Sequence, residues 1–225
     1  MFFAPFLFFY AIVFFLILAF FFILVEINVI NYAFQTIGLP PQLAFMALLA
    51  ALIGSYINIP IARVEGGAMH PSAVVNSFGV RYRVPVHYAD DSTILAVNVG
   101  GAIVPVLISG WVLIHFPEII TPALIGVAIV TLIVHRFARP VGGMGIGTPM
   151  FIPPVAAALV ACLLVGPGHH RDAIAFVSGV MGTLIGADLL NLSKLRDLGA
   201  PVASIGGAGT FDGIFLTGIV AVLLA

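Results

Sequence analysis

Two acidic residues lie inside segments that are otherwise apolar: Asp188 in LIGADLLN and Asp212 in GAGTFDGIF. An aspartate at the centre of a spanning helix costs about 3 kcal/mol on insertion scales, so such a residue is expected to face a partner or a water-filled cavity. Two carboxyl groups that meet in an apolar site share a proton, and one then acts as general base on a water while the other acts as general acid toward a carbonyl. This is the chemistry of aspartic peptide hydrolysis. We therefore predict Asp188 and Asp212 as catalytic residues.

Small and polar residues accompany the two acids. Gly206, Gly207 and Gly209 precede Asp212, and glycines allow a close approach of backbone, so an extended substrate is able to pair there by strand addition. Asn98 begins NVGGAIVP, a break in another apolar segment, and broken helices in a membrane line cavities. We predict these three glycines and Asn98 as substrate-binding residues.

The composition indicates an integral membrane protein. Hydrophobic residues make up 62% of the chain, charged residues only 8%, and the mean hydropathy is +1.23. Soluble domains carry about a quarter charged residues. The lipid bilayer is therefore the expected partner. The net charge of -1 and the lack of a basic run argue against a nucleic-acid partner.

The hydropathy pattern predicts an all-α fold, a polytopic bundle of about seven transmembrane helices that forms one membrane domain over residues 1–225. The first predicted span is Phe-rich, has no cleavage site ahead of Glu26, and is expected to be retained. A cytoplasmic loop over about 60–91 contains AVVNSFGVRYRVPV, which is typical of a small β-hairpin. The spans are placed at 3–25, 42–59, 93–115, 119–137, 150–166, 172–191 and 207–225.

Basic residues predict the orientation of these spans. Of the eight lysines and arginines, seven fall in loops on one side and only Arg171 falls on the other. Positively charged loops stay in the cytoplasm, so we expect a cytoplasmic N-terminus and an extracytoplasmic C-terminus in the cell membrane. Asp188 and Asp212 then lie at matched depth, about 6 to 9 Å below the cytoplasmic ends of adjacent helices.

The segment GAGTFDGIFLTG at 207–218 resembles the second active-site motif of the GxGD intramembrane aspartyl proteases, the presenilin and signal peptide peptidase group. That family carries its two catalytic aspartates on its sixth and seventh helices. The resemblance implies that Asp188 and Asp212 form a dyad that cleaves transmembrane peptides. In this chain the spacing is Gly-x-Gly-x-x-Asp, which is two residues longer than the motif. Asp188 also follows Ala187 and not the tyrosine that is usual in the family. The whole chain is similar to prokaryotic multi-pass membrane families with a GGAGTFDGIFLTG-like ending and no established activity.

A second function is compatible with the same residues. Broken helices mark the substrate sites of secondary transporters, so the two acids are alternatively the proton or cation site of a transporter or channel. A non-catalytic membrane scaffold is a third possibility. We predict no cofactor and no metal, since His70, His87, Asp90 and Asp91 match no standard ligand spacing. The substrate and the oligomeric state do not follow from the sequence.

The seven-to-one partition of basic residues leads to a topology prediction. A reporter fused after Ala225 should read extracytoplasmic, and one inserted near Phe78 should read cytoplasmic. The measurement is a paired enzymatic reporter assay in intact cells. If both reporters read the same side, the count of seven spans is wrong.

Overall fold

The computed structural model describes residues 4–65, 74–77, 80–83, 92–141, 145–168, 170–197, 202–207 and 213–225. Within these residues the fold is mainly helical, as predicted, and each predicted span contains one α-helix. The helices are α1 (Ala4–Thr36), α2 (Pro41–Gly54), α3 (Val104–His115), α4 (Ile120–Phe137), α5 (Ile152–Leu164), α6 (Arg171–Thr183) and α7 (Gly213–Leu224).

Three helical segments are long and apolar enough to cross a membrane: Ile12–Thr36, Pro117–Phe137 and Arg171–Lys194. A full crossing of the hydrocarbon core takes about 20 helical residues. The remaining apolar helical segments contain 10 to 17 residues and are shorter than that. In the part of the chain that the structure describes, these three segments therefore have the length that was predicted for a full span, and the shorter helices do not.

The described residues also contain β-strands. Strands β2 (Val74–Ser77) and β3 (Val80–Arg83) pair antiparallel, which confirms the predicted hairpin. The other strands are β1 (Asn58–Glu65), β4 (Ser92–Asn98), β5 (Arg139–Val141), β6 (Gly145–Gly147) and β7 (Val202–Ile205). Strands β1, β4 and β7 form a three-stranded sheet in the order β1-β4-β7, which was not predicted, and β5 and β6 form a short pair.

The three-stranded sheet corrects the predicted boundaries of two spans. Strand β1 pairs antiparallel with β4, so that Asn58 lies opposite Asn98, and β4 pairs parallel with β7. Residues 93–98, predicted as the start of the third span, form β4, and the second span ends at Gly54, before β1. The apolar composition of β4, STILAVN, is equally suited to a buried strand, because hydropathy alone does not separate the two.

Helix α1 is longer than the predicted first span. It continues without a break to Thr36, so Glu26, which was expected at the end of the span, lies well inside the helix. Among the side chains of α1 that the structure describes, those that are fully buried lie in its last turns, Ala33 and Phe34, and Ile37 directly after the helix is buried as well. The ring of Phe34 packs edge-on against Phe215 of α7, with 5.9 Å between centroids.

The helices begin and end at two opposite ends of the bundle. At one end a β-carbon on Gly38 would lie 2.6 Å from the Phe116 ring, and that ring lies 4.4 Å from the His170 ring. We call this the Phe116 end; α1 and α3 finish there, and α4 and α6 begin there. At the other end α6 is followed by a turn of π-helix that ends at Asp188, and we call this the Asp188 end.

Glycines bring backbones into direct contact at the Asp188 end. A β-carbon on Gly100 would overlap the carbonyl oxygen of Ala51 and the amide nitrogen of Ser55, at the end of α2. Gly186 lies against α4, where a β-carbon would lie 2.6 Å from the Thr131 carbonyl oxygen. Both contacts involve backbone atoms, which cannot move aside as a flexible side chain can.

These contacts predict different costs for the same substitution at two glycines. Gly100→Ala should destabilise the protein by about 3 kcal/mol or more, because the new methyl group overlaps the backbone of α2. Gly110→Ala in α3 is the control, since no atom lies within 4 Å of its β-carbon position. It should be neutral or stabilise the helix by about 0.5 to 1 kcal/mol. The measurement is thermal unfolding in detergent, and equal losses for both variants would contradict the packing.

Candidate functional site

Asp188 is the last residue of a π-helical turn, Leu184–Asp188, that interrupts the apolar segment after α6. Its side chain is half-buried, and its Oδ2 atom accepts a hydrogen bond from the backbone N–H of Gly206 at 2.8 Å. A π-helical turn inside an α-helix is a local irregularity that is frequent at functional sites. The carboxyl group is therefore fixed against the chain that follows β7.

Gly206 forms a turn that only glycine fits. Its φ is +84°, and Gly207 follows with a φ of +90°, a backbone region that side chains other than glycine rarely adopt. A β-carbon on Gly206 would also lie 2.6 Å from the β-carbon of Ala102. The turn thus packs against the segment after β4 while its N–H points at Asp188.

Asn98 organises the neighbouring helix start. It is 1% exposed, and its Oδ1 accepts a hydrogen bond from the Gly101 N–H at 2.7 Å. It thereby caps a second π-helical turn, Val99–Ile103, which leads into α3. Its Nδ2 donates to the Ser55 carbonyl oxygen at 2.7 Å and to Asn58 Oδ1 at 3.1 Å. Asn98 therefore ties together the end of α2, β1 and the start of α3.

The polar contacts extend from Asn98 to β7. Ser204 Oγ donates to Asn58 Oδ1 at 2.6 Å, two residues before the Gly206 turn. Asn98, Asn58 and Ser204 form a continuous hydrogen-bonded series across the three strands β4, β1 and β7. The sequence-predicted residues Asp188, Asn98, Gly206 and Gly207 all belong to the Asp188 end, where two interrupted helices meet one sheet.

A second polar cluster supports the π-helical turn from the α4 side. Asn191 is fully buried; its Nδ2 donates to the carbonyl oxygens of Gly186 and Ala187 at 3.0 and 2.9 Å. His135 Nδ1 lies 3.2 Å from the same nitrogen, and Lys194 Nζ donates to Asn191 Oδ1 at 2.7 Å. Carbonyls released by the helix interruption thus find donors within the protein.

The sequence analysis did not select this cluster, nor Asn58 and Ser204. Asn191 follows two leucines at the end of an apolar segment, and a buried amide there is a detectable signal, since polar residues in such segments need partners. Asn58 and Ser204 carry no such signal. Their importance depends on the pairing of strands that were not predicted.

No basic side chain among those that the structure describes neutralises Asp188; the Arg196 side chain lies outside them. The ion pair that the described residues contain lies at the Phe116 end, far along the bundle from Asp188, and joins His170 Nε2 and Glu118 Oε1 at 3.4 Å. The same residues contain no cluster of three or more histidine, cysteine or acidic side chains suited to a metal ion. Asp188 thus contacts a peptide dipole where a cation would otherwise be expected.

The second predicted catalytic residue, Asp212, lies outside the described residues, as does Gly209. The distance between the Asp188 and Asp212 carboxyl groups is therefore not part of this geometry. Asp212 directly precedes Gly213, the first residue of α7, and follows Gly206 by six positions. His70, His87, Asp90 and Asp91 also fall outside the described part of the chain.

Residues 52–224 match the family described as Protein of unknown function (DUF1614). The chain belongs to this family. The match covers the whole Asp188 end, including both π-helical turns, the three-stranded sheet and α7, whereas α1 precedes it. No curated protein and no solved structure matches this DUF1614 chain. No finding among these comparisons supports the resemblance to the aspartyl proteases.

Proposed function

We propose that this DUF1614 protein is a membrane-spanning transporter in which Asp188 binds and releases a proton or cation as a solute crosses. The observation that carries the proposal is the position of Asp188, between two interrupted helices and without a basic partner among the described side chains. An ionised carboxyl group in an apolar bundle is costly unless it is paired. Binding of a proton or a cation removes that cost.

Interrupted helices support transport for a further reason. Backbone that leaves regular helix at membrane depth is tolerated where it lines a cavity or is buried in protein, and transporter sites are built from such segments. The turns at Val99–Ile103 and Leu184–Asp188 both belong to the Asp188 end. Their glycines bring backbone within van der Waals contact of neighbouring elements. Because of these contacts, we expect the two turns and the elements beside them to move together.

The grouping of basic residues supports a cytoplasmic location for the Asp188 end. Arg136 lies in the last turn of α4, Arg139 begins β5, and Lys194 contacts Asn191 beside the π-helical turn. Arg171 begins α6 at the Phe116 end. By the positive-inside rule the Asp188 end faces the cytoplasm and the Phe116 end faces outward.

A second candidate function is peptide hydrolysis by Asp188 together with Asp212. The specific observation in its favour is the Gly206 hydrogen bond, because it fixes Asp188 beside the glycine turn that starts the segment carrying Asp212. A dyad needs two carboxyl groups close enough to share a proton. Under this alternative each aspartate is essential, and the peptide substrate lies against Gly206 and Gly207.

The transport proposal predicts a loss of proton movement when Asp188 cannot ionise. Asp188→Asn keeps an oxygen that accepts the Gly206 N–H, so folding should be retained while proton binding is lost. Purified protein is reconstituted in liposomes with a trapped pH dye, and amino acids, sugars and inorganic cations are added outside. Wild type should acidify the lumen with at least one solute class, and Asp188→Asn should match empty liposomes.

The matched control is Glu118→Gln, which neutralises an exposed carboxyl group at the Phe116 end and should leave the flux unchanged. Asp188→Glu should retain part of the flux, because it keeps a titratable group. The same samples are incubated with helical membrane peptides and analysed by mass spectrometry. Cleavage that is abolished by Asp188→Asn and by Asp212→Asn alike, with the double variant no worse, would replace transport by hydrolysis. Full flux in Asp188→Asn would overturn the role of Asp188.

A further inference from the structure

Helix α1 carries a carboxyl group, Glu26, that has no partner among the residues that the structure describes. The segment Ile12–Thr36 is among the most apolar of the chain, and none of its best 18-residue window is buried in the bundle. Glu26 lies inside this segment with an exposed side chain. It makes no hydrogen bond or ion pair with another residue that the structure describes.

Glu26 lies near mid-depth of the bundle. Gly38, two residues after the end of α1, lies close to the Phe116 ring, next to the first residue of the segment Pro117–Phe137, which is 21 residues or about 31 Å long. Glu26 precedes Thr36 by ten residues, which is about 15 Å along the helix axis. Since α1 ends and the segment Pro117–Phe137 begins at the Phe116 end, Glu26 is level with the middle of that segment, where hydrocarbon would surround it.

The surface around Glu26 is apolar and open. Phe22, Val25 and Val29 precede and follow it on the helix and are 64%, 58% and 37% exposed. Lipid chains cover such residues without any protein partner. A carboxylate in the same position costs about 3 kcal/mol and is expected to pair or to face a cavity. Glu26 is therefore the charged group on this surface that lipid does not satisfy.

A second copy of the chain does not supply a cation at this depth. Its lysines and arginines lie in strands or near helix ends; in the long apolar segments, Arg136 is in the last turn of α4, and Arg171 and Lys194 are the first and last residues of Arg171–Lys194. Charge complementarity thus favours a different molecule. We propose that α1 docks a transmembrane helix of another membrane protein that carries a lysine or arginine at mid-depth, paired with Glu26.

This inference rests on the membrane-spanning part of the proposed function and not on Asp188. The test uses the full chain, labelled with a fluorescent donor and reconstituted in liposomes. The probe is an acceptor-labelled leucine-rich helix of about 20 residues with one central lysine, and an all-leucine helix is its control. Energy transfer to the lysine helix should exceed transfer to the leucine helix, with an affinity about tenfold higher.

Glu26→Gln should remove this difference, whereas Glu118→Gln, at an exposed glutamate of the Phe116 end, should preserve it. Asp188→Asn should also preserve it, which separates this inference from the transport proposal, and liposome flotation establishes that each variant is inserted. Equal transfer to both helices, or no effect of Glu26→Gln, would overturn the proposal. A cross-linking experiment tests the second copy as the occupant, with Val25→Cys in a Cys162→Ser background. A disulfide-linked dimer that disappears with Glu26→Gln would also overturn the proposal, because the second copy would then occupy this surface.

Discussion

The hydrogen bond from the Gly206 N–H to Asp188 is the interaction on which the arrangement of the Asp188 end depends. It joins the interrupted helix after α6 to the turn after β7, and β7 in turn is paired with β4. The turn requires glycine at φ +84° and leaves no space for a side chain beside Ala102. Asp188 is thus held by backbone on a sheet edge, and a small movement of β7 relative to α6 would change its environment directly.

Two helix interruptions give this end its polar character. Each leaves backbone groups outside the regular helical pattern, and buried side-chain amides satisfy them: Asn98 at the turn before α3 and Asn191 at the turn after α6. Buried polar groups of this kind are costly when unpaired and specify one geometry when paired. Asp188 differs from both amides because it is able to change its charge. Because its charge can change, Asp188 supports the proposed proton or cation site more strongly than a purely structural role.

The sequence predicted much of the helical content because each long apolar run has the composition of a membrane helix. Charges, amides and paired glycines are conspicuous in apolar segments, and for that reason Asp188, Asn98 and Gly206 were predicted as site residues; the structure places all three at the Asp188 end. The sequence did not predict the sheet, because β4 and β7 are short apolar stretches that hydropathy assigns equally well to helix. Nor did it predict that α1 continues past Glu26, since a single charge ends a hydropathy window without ending the helix. The role of Asn58 and Ser204 depends on long-range strand pairing that local sequence does not encode.

The most direct test of this account is solid-state NMR of the protein in lipid, with 15N at Gly206 and 13C at the Asp188 carboxyl group. We expect a measurable 15N–13C dipolar coupling, as for a hydrogen bond with N···Oδ2 near 2.8 Å. We also expect a carboxyl chemical shift that changes between the ionised and protonated values when the pH is varied. Absence of the coupling, or a carboxyl shift that stays at one value across the accessible pH range, would contradict the central role given to Asp188.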